Sequence, residues 1–210
     1  MEPIRENRRR KKTYEEFYRR AQSPQDLPWH REQPPALLAR ALDAHAGTGR
    51  ALDLGCGTGI FAVYLAVRGF QVTALDFVST AVNLTRERAA RAGMKLDVVE
   101  SDVLAWSPAG TVDVIFDSGC LHSLPPRFRA DYAERISSWL RPGGDYVLVH
   151  FGRRHFFDWR PIGPRRRTRA EILGLFGGGF EERGFESEIR ETPLPVGPSA
   201  QILTLWLRKK

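Results

Sequence analysis

The sequence predicts a three-layer α/β protein, with helices packed on both faces of a seven-stranded sheet. Short apolar runs alternate along the chain with segments whose apolar residues recur at helical spacing. A glycine-rich turn directly follows the first apolar run, with glycines at Gly55, Gly57 and Gly59. The connection between the last two apolar runs, at 192–200, is too short for a crossover helix, so we expect an antiparallel pair there.

The bulk composition favours a single domain with an ordinary core. The chain has 210 residues, of which 42% are hydrophobic. No apolar run approaches the ~18 residues of a membrane span, and the charged N-terminus lacks the features of a secretory signal. Two cysteines, Cys56 and Cys120, give no disulfide framework and suit a reducing compartment. We therefore expect a cytoplasmic monomer or homodimer without a membrane partner or a metal site.

The net charge of +7 is local and does not describe the whole surface. The excess of cations lies in three runs, at 8–12, 165–169 and 208–210. Without the twelve cations of these runs the formal charge would be −5. Such runs are usually solvated, although they could also form a patch that recruits RNA or an anionic substrate. Nucleic acid is therefore not the expected partner.

The N-terminal third contains three predicted segments before the first strand. Residues 1–12 are predicted to be a disordered basic tail, and 13–34 a short helix with a proline-rich segment. Thr13 and Glu16 have the spacing of a capping box that would begin the helix. Tyr14 and Tyr18 share one face of this helix, which either packs on the core or covers a ligand as a lid. Trp29, in the proline-rich segment, either covers the same ligand or fills the domain edge.

The remaining elements alternate in the order expected for parallel strands joined by helices. A helix at 35–46 opens the main domain, which spans 35–210. Predicted strands occupy 50–54, 70–75, 95–99, 111–117, 146–151, 185–191 and 201–208. Predicted helices occupy 60–68, 79–92, 127–140 and 168–176, the last with a capping box of Thr168 and Glu171. An irregular basic and aromatic insertion lies at 152–167.

The turn after the first strand is the strongest candidate for a ligand site. Its glycines allow a sharp turn and close approach of a ligand, and the N–H groups that begin the next helix are expected to face that ligand. The dinucleotide fingerprint needs a later third glycine, where Ile60 stands. Asp53 would repel a pyrophosphate and attract an ammonium group. A cofactor with a cationic amino-acid moiety therefore fits better than NAD.

The run from Leu52 to Gly59, L-D-L-G-C-G-T-G, resembles the first motif of the class I S-adenosylmethionine (SAM)-dependent methyltransferases. A second mark of that class is the turn Arg141-Pro142-Gly143-Gly144 between a helix and an apolar strand. The resemblance implies a Rossmann-like sheet of order 3-2-1-4-5-7-6 with an antiparallel last strand, and SAM as cofactor. The motif residues implied to bind SAM are Asp53, Gly55, Cys56, Gly57, Thr58 and Gly59.

Further cofactor contacts are expected at the ends of the second and third strands. Asp76 ends the second strand, where an acid accepts from both ribose hydroxyls in nucleoside-binding α/β folds. Phe77 beside it is assigned to the same site, and the alternative role of Asp76 is a helix N-cap. By the resemblance, Asp102 would accept from the adenine amino group, and Val103 would donate its backbone N–H to the ring. From the residues alone, Asp102 could equally be a turn residue.

The end of the fourth strand should be the place where the acceptor meets the methyl group. Ligands of open α/β sheets lie at the carboxyl ends of the strands, near the point where strand order reverses. Strands one and four flank that point, so Asp53 and Asp117 are expected on opposite sides of one cleft. Asp117 and Ser118 are therefore also assigned to the cofactor site.

A narrower resemblance covers the C-terminal half of the chain. The segments 117–121, 125–127 and 170–177, together with Tyr132, resemble the thiopurine S-methyltransferase group, which includes thiol and halide methyltransferases and is close to tellurite-resistance methyltransferases. This implies a small, soft nucleophile as acceptor. The chain departs from the pattern at Ser118, where a large residue is common, and in the arginine-rich insertion. Both departures lie on the acceptor side.

Methyl transfer is an in-line displacement, so the enzyme mainly has to align the nucleophile with the methyl group. A thiol reacts as its thiolate, which leaves the removal of a proton as a task for a side chain. His122, just after the fourth strand, is the best candidate, against a purely structural histidine. His30 and His155 are weaker candidates, and Tyr14, Tyr18, Trp29, His30 and His155 are assigned to the acceptor site. Cys120 is not expected to be a nucleophile.

The leading hypothesis is a SAM-dependent methyltransferase of a small-molecule acceptor, with a thiol or another soft or aromatic nucleophile. The first alternative is an RNA methyltransferase, but the N-P-P-[YF] tetrad of base methylators is missing where Asp117-Ser118-Gly119-Cys120 stands. The second alternative is a non-catalytic protein that uses the fold to bind SAM. A dehydrogenase is disfavoured by the position of the third glycine.

Overall fold

The computed structural model describes residues 2–153, 165–191 and 199–210, with the backbone alone for 2–8. The described residues form a sheet of order β3-β2-β1-β4-β5-β7-β6, in which β7 is antiparallel to β5 and β6. Its strands are β1 (Arg50–Leu54), β2 (Gln71–Asp76), β3 (Asp97–Glu100), β4 (Val112–Ser118), β5 (Leu140–Gly152), β6 (Phe180–Glu191) and β7 (Ser199–Lys209). The predicted fold class, strand order and antiparallel last strand are confirmed.

Helices cover both faces of this sheet. They are α1 (Glu2–Arg20), α2 (Ala36–Asp43), α3 (Ile60–Val67), α4 (Ser79–Arg91), α5 (Cys120–Ser123), α6 (Arg129–Trp139) and α7 (Arg169–Phe176). Helices α2 and α3 pack on one face, and α6 and α7 on the other. Along β4, Val114 and Phe116 point to the first face, and Ile115 points to the second. Burial of both strand faces explains why the central strands are continuously apolar.

The N-terminal prediction was wrong, because the basic tail is helical. Helix α1 runs from Glu2 to Arg20 without a break, and the sequence from 4 to 20 contains neither glycine nor proline. Thr13 lies inside this helix and donates from Oγ1 to the Arg9 carbonyl at 3.0 Å, so it is not an N-cap. Lys11 pairs with Glu100 at 3.0 Å, which ties the helix to the end of β3.

The C-terminal basic run is part of the fold as well. Arg208 donates two hydrogen bonds to Asp145, at 2.9 and 2.8 Å. Lys209 donates to the carbonyl groups of Ser137 and Leu140. These cations therefore stabilise the β5–β7 pair instead of forming a solvated tail.

Two strands begin more than two residues away from their predicted starts. Strand β6 begins at Phe180, five residues before the predicted start. The apolar pattern missed its first residues because they are mostly polar and face solvent at the sheet edge. Strand β5 already begins at Leu140 and includes the Arg-Pro-Gly-Gly turn. Most of the insertion, 154–164 with Arg154 and His155, lies outside the described residues. Its last part pairs with β5, where Arg167 N donates to the Phe151 carbonyl at 3.0 Å. Among the helices that are described, none is long and apolar enough to cross a membrane.

The predicted capping box at the start of α7 is present and gives a stability prediction. Thr168 Oγ1 accepts from the Glu171 N–H at 3.2 Å, and Glu171 accepts from the Thr168 N–H at 2.7 Å. Thr168→Ala should lower the free energy of unfolding by about 1 kcal/mol, measured by urea denaturation. Thr111→Ala, at an exposed threonine before β4, is the control and should change it by less than about 0.5 kcal/mol. Equal losses in the two variants would contradict the cap.

Candidate active site

The glycine turn lies at the carboxyl end of β1 and has the expected backbone shape. Gly55, Gly57 and Gly59 all adopt positive φ, at 71°, 58° and 77°. Four N–H groups of the turn itself already have acceptors within the protein. Gly55 and Cys56 donate to the Leu75 carbonyl, Gly57 to Asp76 and Gly59 to the Cys56 carbonyl. The turn therefore offers a ligand bare main chain and space, and most of its donors hold the turn together.

Gly57 and Gly59 differ in what surrounds them. A Cβ on Gly59 would stand 2.8 Å from the Cα of Thr85, so this glycine permits close packing of α4. A Cβ on Gly57 would point towards the Tyr18 hydroxyl at 3.5 Å and the Trp29 Nε1 at 3.8 Å. Gly57 therefore faces the cleft, whereas Gly59 supports the fold.

Asp53 is a buried carboxylate with an unsatisfied oxygen. It is 1% exposed, and its Oδ2 has no hydrogen-bond partner in the described residues. Burial and the charge of nearby Asp76 raise the pKa of Asp53 to about 8, although the Ala62 N–H opposes the shift. A cation near this carboxylate would lower its pKa and relieve the cost of burying the charge.

Asp76 has two backbone donors and still borders the cleft. Its oxygens accept from Gly57 N at 3.0 Å and Val78 N at 2.9 Å. Burial raises the pKa of Asp76 to about 6, against these two bonds. Each carboxylate oxygen has a second lone pair, so the side chain can still accept from a ligand.

Asp102 and Val103 lie where the cofactor assignment needs them, beside the same cleft. Asp102 Oδ1 accepts from the Leu104 N–H at 2.9 Å, which makes it a turn residue as well. The two roles considered for Asp102 are therefore compatible. Phe77 also borders the cleft, with its ring centroid 5.7 Å from that of Tyr14.

The position of Asp117 corrects the expectation for the fourth strand. Its side chain is fully buried and accepts from the N–H groups of Gly119, Cys120 and Leu121 and from two tyrosine hydroxyls. The hydroxyls belong to Tyr132, at 2.7 Å, and Tyr146, at 2.9 Å. Asp117 therefore holds the turn into α5 and presents no oxygen to a cleft, whereas Ser118 does border it.

The first cleft has a volume of about 700 Å³ and lies between the carboxyl ends of the parallel strands and α1. Aromatic rings close its outer side. The Trp29 ring packs edge-on against Tyr14 and Tyr18, with centroids 5.4 and 5.7 Å apart. Arg10, which the sequence analysis placed in the tail, also borders this cleft, and its guanidinium lies 5.4 Å from the Phe77 ring centroid. The helix face with Tyr14 and Tyr18 both packs against Trp29 and borders the cleft, so its role as a lid stays a prediction.

A second, larger cavity of about 1070 Å³ begins where the first cleft ends. Ser118, Trp29 and His122 border both spaces. The second cavity is closed by residues 25–31 on one side and by the end of β5 on the other. The fold thus places two ligand-sized spaces side by side, with a shared boundary at the end of β4.

His122 stands at this boundary in a buried position. Its Nδ1 has no hydrogen-bond partner among the described residues. Burial holds the pKa of His122 well below its usual range, and the neighbouring His150 and Arg129 lower it further. His122 is therefore a neutral imidazole at neutral pH.

His150, on β5, was not singled out from the sequence. It borders the second cavity, and its ring packs edge-on against His122 with centroids 5.6 Å apart. Burial lowers its pKa to about 4. It lies in the apolar run 146–151, and nothing in the sequence except the residue type marks it as a site residue.

The other candidates are distributed between these spaces. His30 borders the second cavity, and neither of its ring nitrogens has a described hydrogen bond. Cys56 and Thr58 border a smaller cavity of about 380 Å³ beside the glycine turn. Burial raises the pKa of Cys120 well above its usual range, which disfavours a nucleophilic thiolate there. His155 lies outside the described residues.

Comparison with known proteins identifies the family of this site. A family model described as a methyltransferase domain matches residues 51–144. The 2-heptyl-1-hydroxyquinolin-4(1H)-one methyltransferase of Mycobacteroides abscessus is 31% identical over 68% of this chain, and the match spans 65% of that protein, just under two thirds. A probable thiol methyltransferase 2 of Arabidopsis thaliana is 30% identical over 87% of this chain and 80% of that protein.

A ribosomal RNA small subunit methyltransferase C of Alcanivorax borkumensis is also similar, with 30% identity over 61% of this chain and 41% of that protein. Among solved structures, the 1,6-didemethyltoxoflavin-N1-methyltransferase of Burkholderia thailandensis with bound S-adenosylhomocysteine has a TM-score of 0.62 at 26% identity. The match covers 83% of this chain and 79% of that chain. Fold, glycine turn and relatives agree, and the chain belongs to the class I SAM-dependent methyltransferases.

Proposed function

We propose that the protein transfers the methyl group of SAM to a small-molecule acceptor with a thiol or another soft or aromatic nucleophile. The observation that carries this proposal is the shared boundary of the two spaces at Ser118, Trp29 and His122. The first cleft would hold SAM, and the second cavity would hold the acceptor. We refer to them below as the cofactor cleft and the acceptor cavity.

The residues of the cofactor cleft fit SAM. Asp76 would accept from the ribose hydroxyls, and Asp102 and Val103 would bind the adenine. Gly55 and Gly57 leave space for the amino-acid part. Asp53 is buried beside the glycine turn and is not among the residues that border the cleft, and its unsatisfied oxygen would attract the ammonium group. When bound, SAM supplies a methyl group on a positively charged sulfur.

The chain itself has to orient the acceptor and exclude water. The ring cluster of Tyr14, Tyr18 and Trp29 closes the cleft on its outer side. His122 would contact the acceptor at the boundary and orient its nucleophile, because a neutral imidazole can accept or donate a hydrogen bond. The proton of the nucleophile would pass to this imidazole or to solvent.

The relatives support a small acceptor, since two of them are named for a hydroxyquinolone and a thiol. A match to a ribosomal RNA methyltransferase keeps RNA as the alternative. Two observations disfavour RNA as the acceptor. Arg208 and Lys209 are engaged within the fold, and Lys11 pairs with Glu100. RNA binding depends on cations that remain available to phosphates.

The test is calorimetric titration with SAM and with S-adenosylhomocysteine, followed by an acceptor screen that begins with aromatic thiols. Binding of both ligands and release of S-adenosylhomocysteine with a small acceptor would support the proposal. Binding of neither ligand would overturn it. Methylation of short RNA in preference to every small acceptor would favour the alternative.

His122→Ala should lower kcat by at least about tenfold at saturating SAM, since the acceptor loses a contact that orients it. The Kd of SAM should change by less than about threefold, because the aromatic wall and the glycine turn remain. Steady-state kinetics with an aromatic thiol and calorimetry on the same preparation measure the two quantities. Unchanged turnover across a thiol panel would remove His122 from the mechanism.

A further inference from the structure

We infer that the acceptor cavity contains a subsite for a hydrogen-bond donor, in which Nε2 of His150 accepts from an O–H or N–H group of the acceptor. This inference rests on the proposed function and specifies its substrate class. The acceptor would carry two groups, the nucleophile at the boundary with the cofactor cleft and a neutral protic group beside it.

The hydrogen bonding of His150 fixes which ring nitrogen carries the proton. Nδ1 lies 2.8 Å from the backbone carbonyl of Phe151. A carbonyl can only accept, so Nδ1 must be the donor in this contact. In a neutral imidazole the other nitrogen is then unprotonated. Nε2 of His150 therefore has a lone pair and no hydrogen to donate.

This lone pair has no partner among the residues that the structure describes. His150 is 1% exposed, and Nε2 is buried without a hydrogen bond in the described part of the chain. A buried acceptor without a partner costs free energy, and native proteins rarely leave one unexplained. His150 borders the acceptor cavity, and we place the missing donor on a ligand bound there.

The surroundings keep the imidazole neutral. Burial disfavours the charged form, and the guanidinium groups of Arg129 on α6 and Arg167 beside β5 lower the pKa of His150 further. Glu171 on α7 opposes them, and His122 on α5 faces the ring as a second neutral imidazole. The group recognised by Nε2 is therefore a neutral donor, because an anion would meet a lone pair and a cation would meet the guanidinium groups of Arg129 and Arg167.

The position of His150 places the donor close to the reacting atom. The His150 ring packs edge-on against His122, which borders both the cavity and the cleft. Phe151 closes the same region, with its ring centroid 4.9 Å from that of His122. The class of acceptor that fits is a small aromatic or heteroaromatic molecule with an O–H or N–H on the atom next to the nucleophile.

Two aromatic thiols of equal size test this subsite. 2-Mercaptophenol carries the protic neighbour, and 2-methylbenzenethiol replaces the hydroxyl by a methyl group. The wild-type protein should show a kcat/KM about 100-fold higher for 2-mercaptophenol, the size of effect expected when a buried group is left unpaired by the poorer ligand. His150→Asn keeps a donor for the Phe151 carbonyl and removes Nε2, so the preference should fall to within about threefold.

His150→Gln is the matched control, since its amide oxygen can reach the position of Nε2. It should retain part of the preference. Equal kcat/KM for both thiols in the wild-type protein would overturn the subsite and leave methyl transfer intact. Equal proportional losses with both thiols in His150→Asn would assign His150 a structural role and would also overturn it.

A binding measurement makes the test independent of turnover. Phenol and toluene are titrated into the protein saturated with S-adenosylhomocysteine, and binding is followed by NMR of the histidine ring nitrogens. Phenol should shift the Nε2 signal of His150 in the wild-type protein, and toluene should not. No shift with phenol would contradict the subsite. A failure of the proposed function would appear separately, as the absence of S-adenosylhomocysteine binding.

Discussion

Gly59→Ala is expected to lower the free energy of unfolding by about 2–5 kcal/mol, the largest of the stability effects that we predict. The new Cβ would stand 2.8 Å from Thr85 Cα and 3.0 Å from Thr85 Cβ. Thr85 cannot move aside easily, because it is fully buried and donates from Oγ1 to the Gly57 carbonyl at 3.1 Å. The positive φ of 77° adds backbone strain. Urea denaturation measures the loss.

Two other glycines separate the causes of this effect. Gly93 also has a positive φ, of 66°, but a Cβ there would meet nothing within 4 Å. Gly93→Ala should therefore cost only the backbone strain, about 1–2 kcal/mol. Gly57→Ala should cost a similar amount in stability and in addition weaken SAM binding at least about tenfold, because its methyl group enters the cofactor cleft. Equal losses for Gly59→Ala and Gly93→Ala would contradict the packing argument.

These glycines show how far the sequence could predict the site. The motif from Leu52 to Gly59 located the turn and the strand before it, because only glycine tolerates such a turn at three nearby positions. It could not separate the glycine that faces the cleft from the one that faces α4. That distinction depends on Thr85 and Tyr18, which lie far from the motif in the chain.

Asp53 and Asp117 illustrate the same limit for charged residues. Both stand near the ends of neighbouring parallel strands, and the sequence assigned both to one cleft. The structure gives Asp117 five donors, two of them from Tyr132 and Tyr146, and leaves one oxygen of Asp53 without any. The number of donors around a carboxylate is a tertiary property, and no local pattern reports it.

The N-terminus and His150 were missed for different reasons. The basic run in α1 has the composition of a solvated tail, and its helix is held by contacts of Lys11 and Arg10 with distant parts of the chain. His150 lies within the apolar run 146–151 of β5, a position that fits a structural histidine equally well. Its role as a candidate became visible only through its buried Nε2 and the cavity that it borders.

The affinity for SAM should rise with pH, by about 20-fold between pH 6 and pH 8, because ionisation of Asp53 outweighs the partial loss of the ammonium proton near pH 8. Burial places the pKa of Asp53 at about 8 in the ligand-free protein, so its carboxyl group is about 1% ionised at pH 6 and about half ionised at pH 8. Under the proposed function, the ammonium group of SAM lies near Asp53 and favours the ionised form, so binding should release a proton. Calorimetry in two buffers of different ionisation enthalpy measures both the affinity and the proton release.

The raised pKa of Asp53 should also affect the stability of the ligand-free protein, which should fall with rising pH whereas the SAM affinity rises. Because the folded pKa of Asp53 lies above its unfolded value, the folded state binds the additional proton between about pH 4 and pH 8, and stability should fall as pH rises through this window.

Asp53→Asn retains the acceptor for the Ala62 N–H and removes the titration, so its SAM affinity should be weak and independent of pH. 5′-Methylthioadenosine, which lacks the amino-acid part, should bind the wild-type protein without this pH dependence. An equal rise in affinity with pH for that ligand, or for SAM with Asp53→Asn, would show that another group causes the effect. Asp76 is one such group, and its pKa of about 6 would shift the rise in affinity to lower pH.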